Sequence, residues 1–553
     1  MGMQNDADRR EALSRAMRQS SGGDGQRGMR PGHGYIGSML FPCLLLATLL
    51  CGGMVLWSYT NHKPPFYVLV GDRTGSSEDD EGQEKAAGDG QENRTGGMKE
   101  LSGQVQIPYE VPETVRVLLM NSDFSSVYHD QLVIKGHADE ITITPAALRE
   151  TFDEVVEQLI QEGLLLEREG ERYVLKPHEA EAGTEGTVQA GERIKILSIS
   201  RACGTPSYRG CLYLYVRDDQ LVLVNELSLE EYLYNVLPSE MPASYHEEAL
   251  KAQAVCARTY ACAVMENPRY PDFDAHLDDS TSCQMYGNLE EHENTTAAVE
   301  QTRGEILLFQ ERPVSTYYYS TSCGIGSDIS VWQGFAPEEY PYLQSRSQNA
   351  AHEALQLTDD TEFAAYLTAA HEDVESAYPW YRWSCQISGV NADTLYERLR
   401  ERYQVKQESV ELMGMDESLQ TDELPQLGRI RMLSIDARSP SGCATCLLIE
   451  GENCSYRIYG EYNVRYLLCD GDTTVTRQDG STAVMRTILP SAYLILTPML
   501  DKEELIGYSI IGGGYGHGVG MSQNGADMLA ALGVDYRAIL DYYYIGTEWK
   551  APK

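Results

Sequence analysis

Apolar and polar positions along the chain follow three rhythms. The first is an unbroken run: Ile36 to Trp57 reads IGSMLFPCLLLATLLCGGMVLW, and no Lys, Arg, Asp or Glu falls between Arg30 and Lys63. A helix of about 20 apolar residues spans a bilayer core. Tyr35, Trp57 and Tyr59 stand at the ends of the run, where amphipathic rings favour the interface. Arg9, Arg10, Arg15, Arg18, Arg27 and Arg30 precede it. The expectation is a cytoplasmic tail (1–34), a transmembrane helix (35–58) and the bulk of the chain on the outer side of the cell membrane. A cleaved signal peptide is disfavoured, because the basic segment is long and no A-x-A-like site follows.

The second rhythm is that of strands. VRVLLM, DQLVI, IKILSI, CLYLYV, LVLVNEL, EILLF and STYYYST are short, rich in β-branched or aromatic residues, and bounded by turn residues. The third is helical. Leu148, Phe152, Val155, Val156, Leu159 and Ile160 predict one amphipathic helix. Leu229, Tyr232, Leu233, Val236 and Leu237 predict another, opened by a Ser228–Glu231 capping box and ended by Pro238. Ser244 and Glu247 form a second box, opening a helix of small residues to about Met265. Glu240 is thereby expected in a short turn between two helices. A helical, acidic stretch follows near Asp359 to Glu375. Strands return after it, and two short helices follow Gly514, the first capped by Ser522 and ended by Gly533. No βαβα rhythm or repeat is visible, so the fold class is α+β.

Two stretches carry no apolar rhythm. Residues 59–110 include GSSEDDEGQEKAAGDGQENRTGG, expected to be an acidic, disordered linker, and Glu179 to Glu192 reads as a loop. Residues 111–553 are expected to hold the folded part, with its core at about 190–553.

Charge narrows the class of partner. Across 553 residues, 44 Lys+Arg against 83 Asp+Glu leave a net charge of −39. That field repels nucleic acid over the whole molecule, so no nucleic-acid partner is expected, although net charge leaves room for a local basic groove. Tyr is abundant (36) beside Phe (8), which suits partly apolar, hydroxyl-rich ligands such as sugars.

Candidate chemistry concentrates in three places. Glu240 lies between Pro238 and Pro242, beside Leu237 and Met241. A carboxylic acid held rigidly among apolar groups has a raised pKa and can serve as a general acid; alternatively, Glu240 is an exposed turn residue. Arg258 lies in the small-residue helix, either facing a cleft or in a structural ion pair, Glu240 being one candidate partner. The run GGGYGHGVGMSQNGA has a G-x-G-x-G-x-G spacing that matches neither nucleotide-binding fingerprint. His517 within it is a groove residue or a packed one. Of 13 cysteines, Cys203 and Cys211 flank a turn and could pair. Cys443, Cys446, Cys454 and Cys469 have a spacing that is not an established zinc pattern, so no metal or other cofactor is predicted.

These residues resemble a known family. VNELSLEEYLYNVLPSEMPASYHEEALKAQAVCARTYA, STSCG with VWQG, EYPYLQS, YPWYRW and GGGYGHGVGMSQNGADMLA are similar, in order, to stage II sporulation protein D and its SpoIID/LytB-domain relatives. The resemblance implies a membrane-anchored peptidoglycan lytic transglycosylase of sporulation and engulfment. Such an enzyme cleaves peptide-stripped glycan strands between N-acetylmuramic acid and N-acetylglucosamine to 1,6-anhydro ends. It implies Glu240 as the catalytic residue, with Arg258 and Tyr342 as functional partners and Gln284, His517 and Gln523 lining the groove. Partners implied are the glycan strands, a cell-wall amidase and engulfment-complex proteins. Gln344 stands where relatives carry Lys, and Cys323 where they carry Gly. The rival reading is a non-catalytic glycan-binding amidase enhancer of the LytB type; a third is a scaffold of an engulfment complex.

Overall fold

The computed structural model describes residues 109–178, 193–349, 355–388, 391–413 and 424–551. The expected tail, membrane helix, nearly all of the linker and the loop at 179–192 lie outside the described residues. No described helix is long and apolar enough to cross a membrane.

The architecture is α+β, with six sheets among the described residues. The largest orders its strands Leu277–Asp278, Thr114–Leu119, Gln220–Ser228, Cys211–Arg217, Arg172–Pro177 and Leu164–Glu169, with Tyr128–His129 also on the Gln220 strand. Its pairings are antiparallel except Leu277–Asp278, which runs parallel to Thr114–Leu119. Alternation works on both faces: Val115, Val117 and Leu119 point to the main core, while Leu118, Val222 and Val224 enter a smaller one.

The helices are α1 (Pro145–Glu150), α2 (Phe152–Gln161), α3 (Leu229–Glu240), α4 (Glu247–Glu266), α5 (Glu293–Gln301), α6 (Asp360–Thr368), α7 (Ala392–Val405), α8 (Glu461–Leu467), α9 (Gln523–Ala531) and α10 (Tyr536–Tyr543). Residues 145–161, expected as one helix, form two. Thr151 breaks them, leaving helical geometry with ψ 36°.

Between α6 and α9 lie two further sheets. One orders Thr482–Met485, Thr473–Arg477, Trp383–Ser388, Glu504–Gly512 and Leu494–Asp501; the other orders Val410–Leu412, Ser455–Tyr459, Ala444–Gly451 and Ile430–Arg438. The chain then returns to the first core. Met521–Ser522 pairs in parallel with Tyr318–Tyr319, and α9 and α10 pack on α4.

Pro238 does not end α3, which continues through it to Glu240. The helix survives because the proline lies in the last turn. There its missing N–H costs one bond, and Ser239 Oγ donates to the Asn235 carbonyl at 2.7 Å. Met241 leaves the helix in extended geometry, with Pro242 next. The Ser244–Glu247 box does not form either. His246 is the N-cap of α4 without a side-chain cap bond, and Asp527 of α9 holds its N–H and its Nδ1, each at 2.8 Å. A tertiary contact has replaced the local one. Ser228 caps α3 as expected, its Oγ accepting from the Glu231 N–H.

Candidate active site

Glu240 is the last residue of α3, not a turn residue. Its side chain is partly exposed. The Met285 N–H donates to Glu240 Oε1 at 2.6 Å, and the Tyr318 hydroxyl bonds the same carboxyl group. No Lys or Arg contributes to its electrostatics. Desolvation therefore dominates and pushes the Glu240 carboxyl up to about 7, against the lowering effect of those two hydrogen bonds. The carbonyl end of α3, where the helix dipole is negative, acts in the same direction.

Tyr318 links Glu240 to the interior. Its hydroxyl accepts from Gln284 Nε2 at 3.3 Å, and Gln284 Oε1 accepts from the Tyr232 hydroxyl of α3 at 3.1 Å. Gln284 and Tyr232 are fully buried. Gln523, the first residue of α9, donates from Nε2 to the Glu240 carbonyl at 3.1 Å and to Gln253 Oε1 at 3.5 Å. Glu240, Gln284 and Gln523, predicted separately, thus belong to one hydrogen-bonded cluster. It draws on α3, the loop after Leu277–Asp278, the Tyr318 strand and α9.

His517 sits one step away. Its Nδ1 accepts from the Val519 N–H at 3.1 Å and its ring hydrogen-bonds the Tyr318 backbone. The ring packs 5.1 Å from Trp332 and 5.7 Å from Tyr319. Burial pushes its pKa down to about 4, so the imidazole is neutral at pH 7. It supports the backbone of Tyr318 from a packed position.

The glycine run explains why Tyr318 is held so closely. Gly516 and Gly520 have φ of +119° and +77°. A Cβ at Gly516 would meet Tyr319 Cβ at 2.6 Å, and one at Gly520 would strike the Tyr317 carbonyl. The glycines let the chain lie against the Tyr317–Tyr319 segment.

Two expected residues lie elsewhere. Arg258 is completely buried, and its partner is Glu230 rather than Glu240. Its Nε and Nη2 meet the two Glu230 carboxylate oxygens at 2.8 and 2.7 Å, and it also donates to the Val299 and Glu305 carbonyls. Saturated in this way it cannot contact a sugar; it fixes the start of α3 against α4 and α5. Tyr342 is also buried. Its hydroxyl accepts from the Ser315 N–H at 3.1 Å, and its ring packs 5.7 Å from Phe309. Gln344 is exposed, its amide turned back to the Pro341 carbonyl at 2.9 Å.

Tyr318 and the Met285 N–H were not singled out from sequence. Three successive tyrosines offer no signal for which one reaches the acid, and a backbone donor has none at all. A second carboxyl group pushed up to about 7 by burial, Glu375, was also missed as a titrating group. It is fully buried and accepts from the Ser322 N–H at 2.9 Å, from Gln348, and from the Ser522 hydroxyl that caps α9.

The described cysteines do not pair. Cys203 and Cys211 are free thiols, correcting the suggested bridge, and all other described cysteines are free as well. Cys443, Cys446, Cys454 and Cys469 each turn to a different acceptor: Ala444, Asp436, Pro425 and Met485. Among the described residues no group of three or more His, Cys, Asp or Glu is placed to hold a metal ion.

Comparison with known proteins agrees with the sequence motifs. Residues 217–309, which contain Glu240, Arg258 and Gln284, match the SpoIID (stage II sporulation protein) family model. Residues 329–520 match a domain of unknown function (DUF8618). An amidase enhancer of Bacillus subtilis is 28% identical over 326 residues, covering 57% of this chain and 40% of that relative. The chain thus spans less than half the length of that protein. Stage II sporulation protein D of Bacillus subtilis is 25% identical over 343 residues, covering 59% of this chain and 75% of that protein. An uncharacterised protein of Brachyspira hyodysenteriae is 27% identical over 343 residues, with 62% and 72% covered. Glu240 thus lies inside the segment that matches the SpoIID family model, and over most of its described length the chain is similar to proteins named for stage II sporulation and amidase enhancement.

Proposed function

We propose that this protein is a peptidoglycan lytic transglycosylase acting on the bond between N-acetylmuramic acid and N-acetylglucosamine. The observation that carries the reading is the Glu240 carboxyl: pushed up to about 7, partly exposed, and fixed by Met285 and Tyr318. A general acid needs a pKa near the working pH. Protonated Glu240 donates to the departing glycosidic oxygen as the C1–O bond breaks. The resulting carboxylate takes the proton of the muramyl 6-hydroxyl as its oxygen bonds to C1. The product is a 1,6-anhydro ring, and Glu240 ends protonated as it began. Hydrolysis ordinarily requires two carboxyl groups across the scissile bond; this intramolecular route requires one. Arg258 is a positioning residue, holding the helix that ends in Glu240.

The relatives named for sporulation and amidase enhancement support a role at the cell wall. In this reading residues 35–58 anchor the chain in the cell membrane, 59–110 tether it, and 111–553 act on the outer side on peptide-stripped strands beside an amidase. The alternative is a glycan-binding amidase enhancer that does not cleave. Exposed Gln344, in place of the basic residue of relatives, favours it.

The test is incubation of the full chain with peptide-free glycan strands and mass spectrometry of the products. Anhydro-muramyl ends from the wild type, absent with Glu240→Gln, are expected. Strand binding without new ends from the wild type would replace the transglycosylase with the enhancer.

A further inference from the structure

The Tyr318 strand has a second consequence. Tyr317, its neighbour in sequence, opens a series of packed rings. Tyr317 packs edge-on against Trp332 at 4.9 Å, Trp332 against Phe335 at 6.1 Å, and Phe335 against Tyr340 at 5.8 Å. All four side chains are partly exposed. Buried rings buttress both ends: Tyr260 lies 6.2 Å from Tyr317, and Tyr342 lies 6.2 Å from Tyr340. The Trp332 ring is fixed, since its Nε1 donates inward to Glu461 at 3.3 Å and His517 packs against it. His517 in turn bonds the Tyr318 backbone, so the series and the Glu240 cluster share one support.

We propose that Tyr317, Trp332, Phe335 and Tyr340 form a sugar-stacking lane that continues the Glu240 site and grips the glycan strand several rings from the bond under attack. The proposal rests on the glycan reading above. Pyranose rings present apolar C–H faces and polar edges, which amphipathic aromatic faces match. The charge of −39 offers an anionic strand no long-range attraction, whereas stacking is insensitive to it. Phe335 and Tyr340 pack on the main core and yet stay partly open to solvent, whereas Tyr342 at the end of the series is buried.

The test uses the full chain carrying Glu240→Gln, so that ligand is bound and not consumed. Affinity is measured by calorimetry for a peptide-free tetrasaccharide and a decasaccharide of the strand. The decasaccharide is expected to bind about tenfold more tightly, an advantage lost on adding Phe335→Leu with Tyr340→Leu, which keep apolar volume and remove flat faces. Trp332→Phe, which keeps a ring, should preserve most of the advantage. An unchanged length preference in the Leu variant, or no strand binding in the parent, overturns the lane. Cleavage by the protein with Glu240 intact is assayed in parallel. Cleavage with length preference surviving the Leu substitutions leaves the transglycosylase and removes the lane. Length-dependent binding lost in that variant, without cleavage by the intact protein, leaves the lane and removes the transglycosylase.

Discussion

The two ends of α3 handle a carboxylate in opposite ways. At its start Glu230 meets Arg258 through two charge-assisted bonds and also accepts from the Gly304 N–H at 3.0 Å. At its end Glu240 has two neutral donors and no cation. Both acids lie at the edge of the same core. The difference is the counter-charge: full pairing makes a clamp, and withholding the cation makes a group that titrates near neutrality. A clamped acid and an acid that titrates near neutrality are thus ten residues apart on one rigid element, about 15 Å at the rise of an α-helix.

Substitutions can break this contrast. The largest effect is expected from Glu240→Gln, which should lower strand cleavage by about 10²–10⁴-fold with an unchanged melting temperature, as read by product analysis and calorimetry. Arg258→Ala should do the reverse first: by leaving Glu230 buried without a cation it should cost about 3–5 kcal/mol, seen in denaturant unfolding. Arg258→Lys loses the paired geometry and should recover only part of that stability.

A subtler change sharpens the contrast. Tyr318→Phe removes a bond that favours the ionised Glu240. The pKa should rise, and the alkaline limb of the pH–rate profile, which falls as pH passes about 7, should move upward. An unmoved limb would detach Tyr318 from the acid.

The smallest expected effect concerns Glu375. Burial raises its pKa on folding, from an ordinary 4.5 to about 7, so the native state holds a proton that the unfolded chain releases. Stability from this group is present below about 4.5 and is lost as pH rises through 7. Glu375→Gln should flatten the melting temperature between those limits; an identical slope would show that another group sets it.

Much of the site was legible because its cues are local. Ser228 and Glu231 announce the start of α3, and the proline-bracketed Glu240 marks a fixed acid. What was not legible depends on partners far along the chain. Pro238 stays helical because it falls in a last turn. The start of α4 is held by Asp527, a residue 281 positions from His246. Arg258 chose Glu230 because the packing of α3, α4 and α5, not sequence distance, decides which carboxylate it meets. Tyr342 lies in EYPYLQS, one of the stretches that carry the resemblance, yet its hydroxyl is spent on the Ser315 backbone.

The parallel pairing of Tyr318–Tyr319 with Met521–Ser522 also has a meaning in time. The contact from Gln523 to Glu240 closes a loop of 283 residues. Such distant contacts form late, because their closure must wait for the chain between them to be ordered. During synthesis Glu240 emerges long before the segment that completes its surroundings. A nascent or C-terminally clipped chain therefore carries the acid without the α9 residue that braces it.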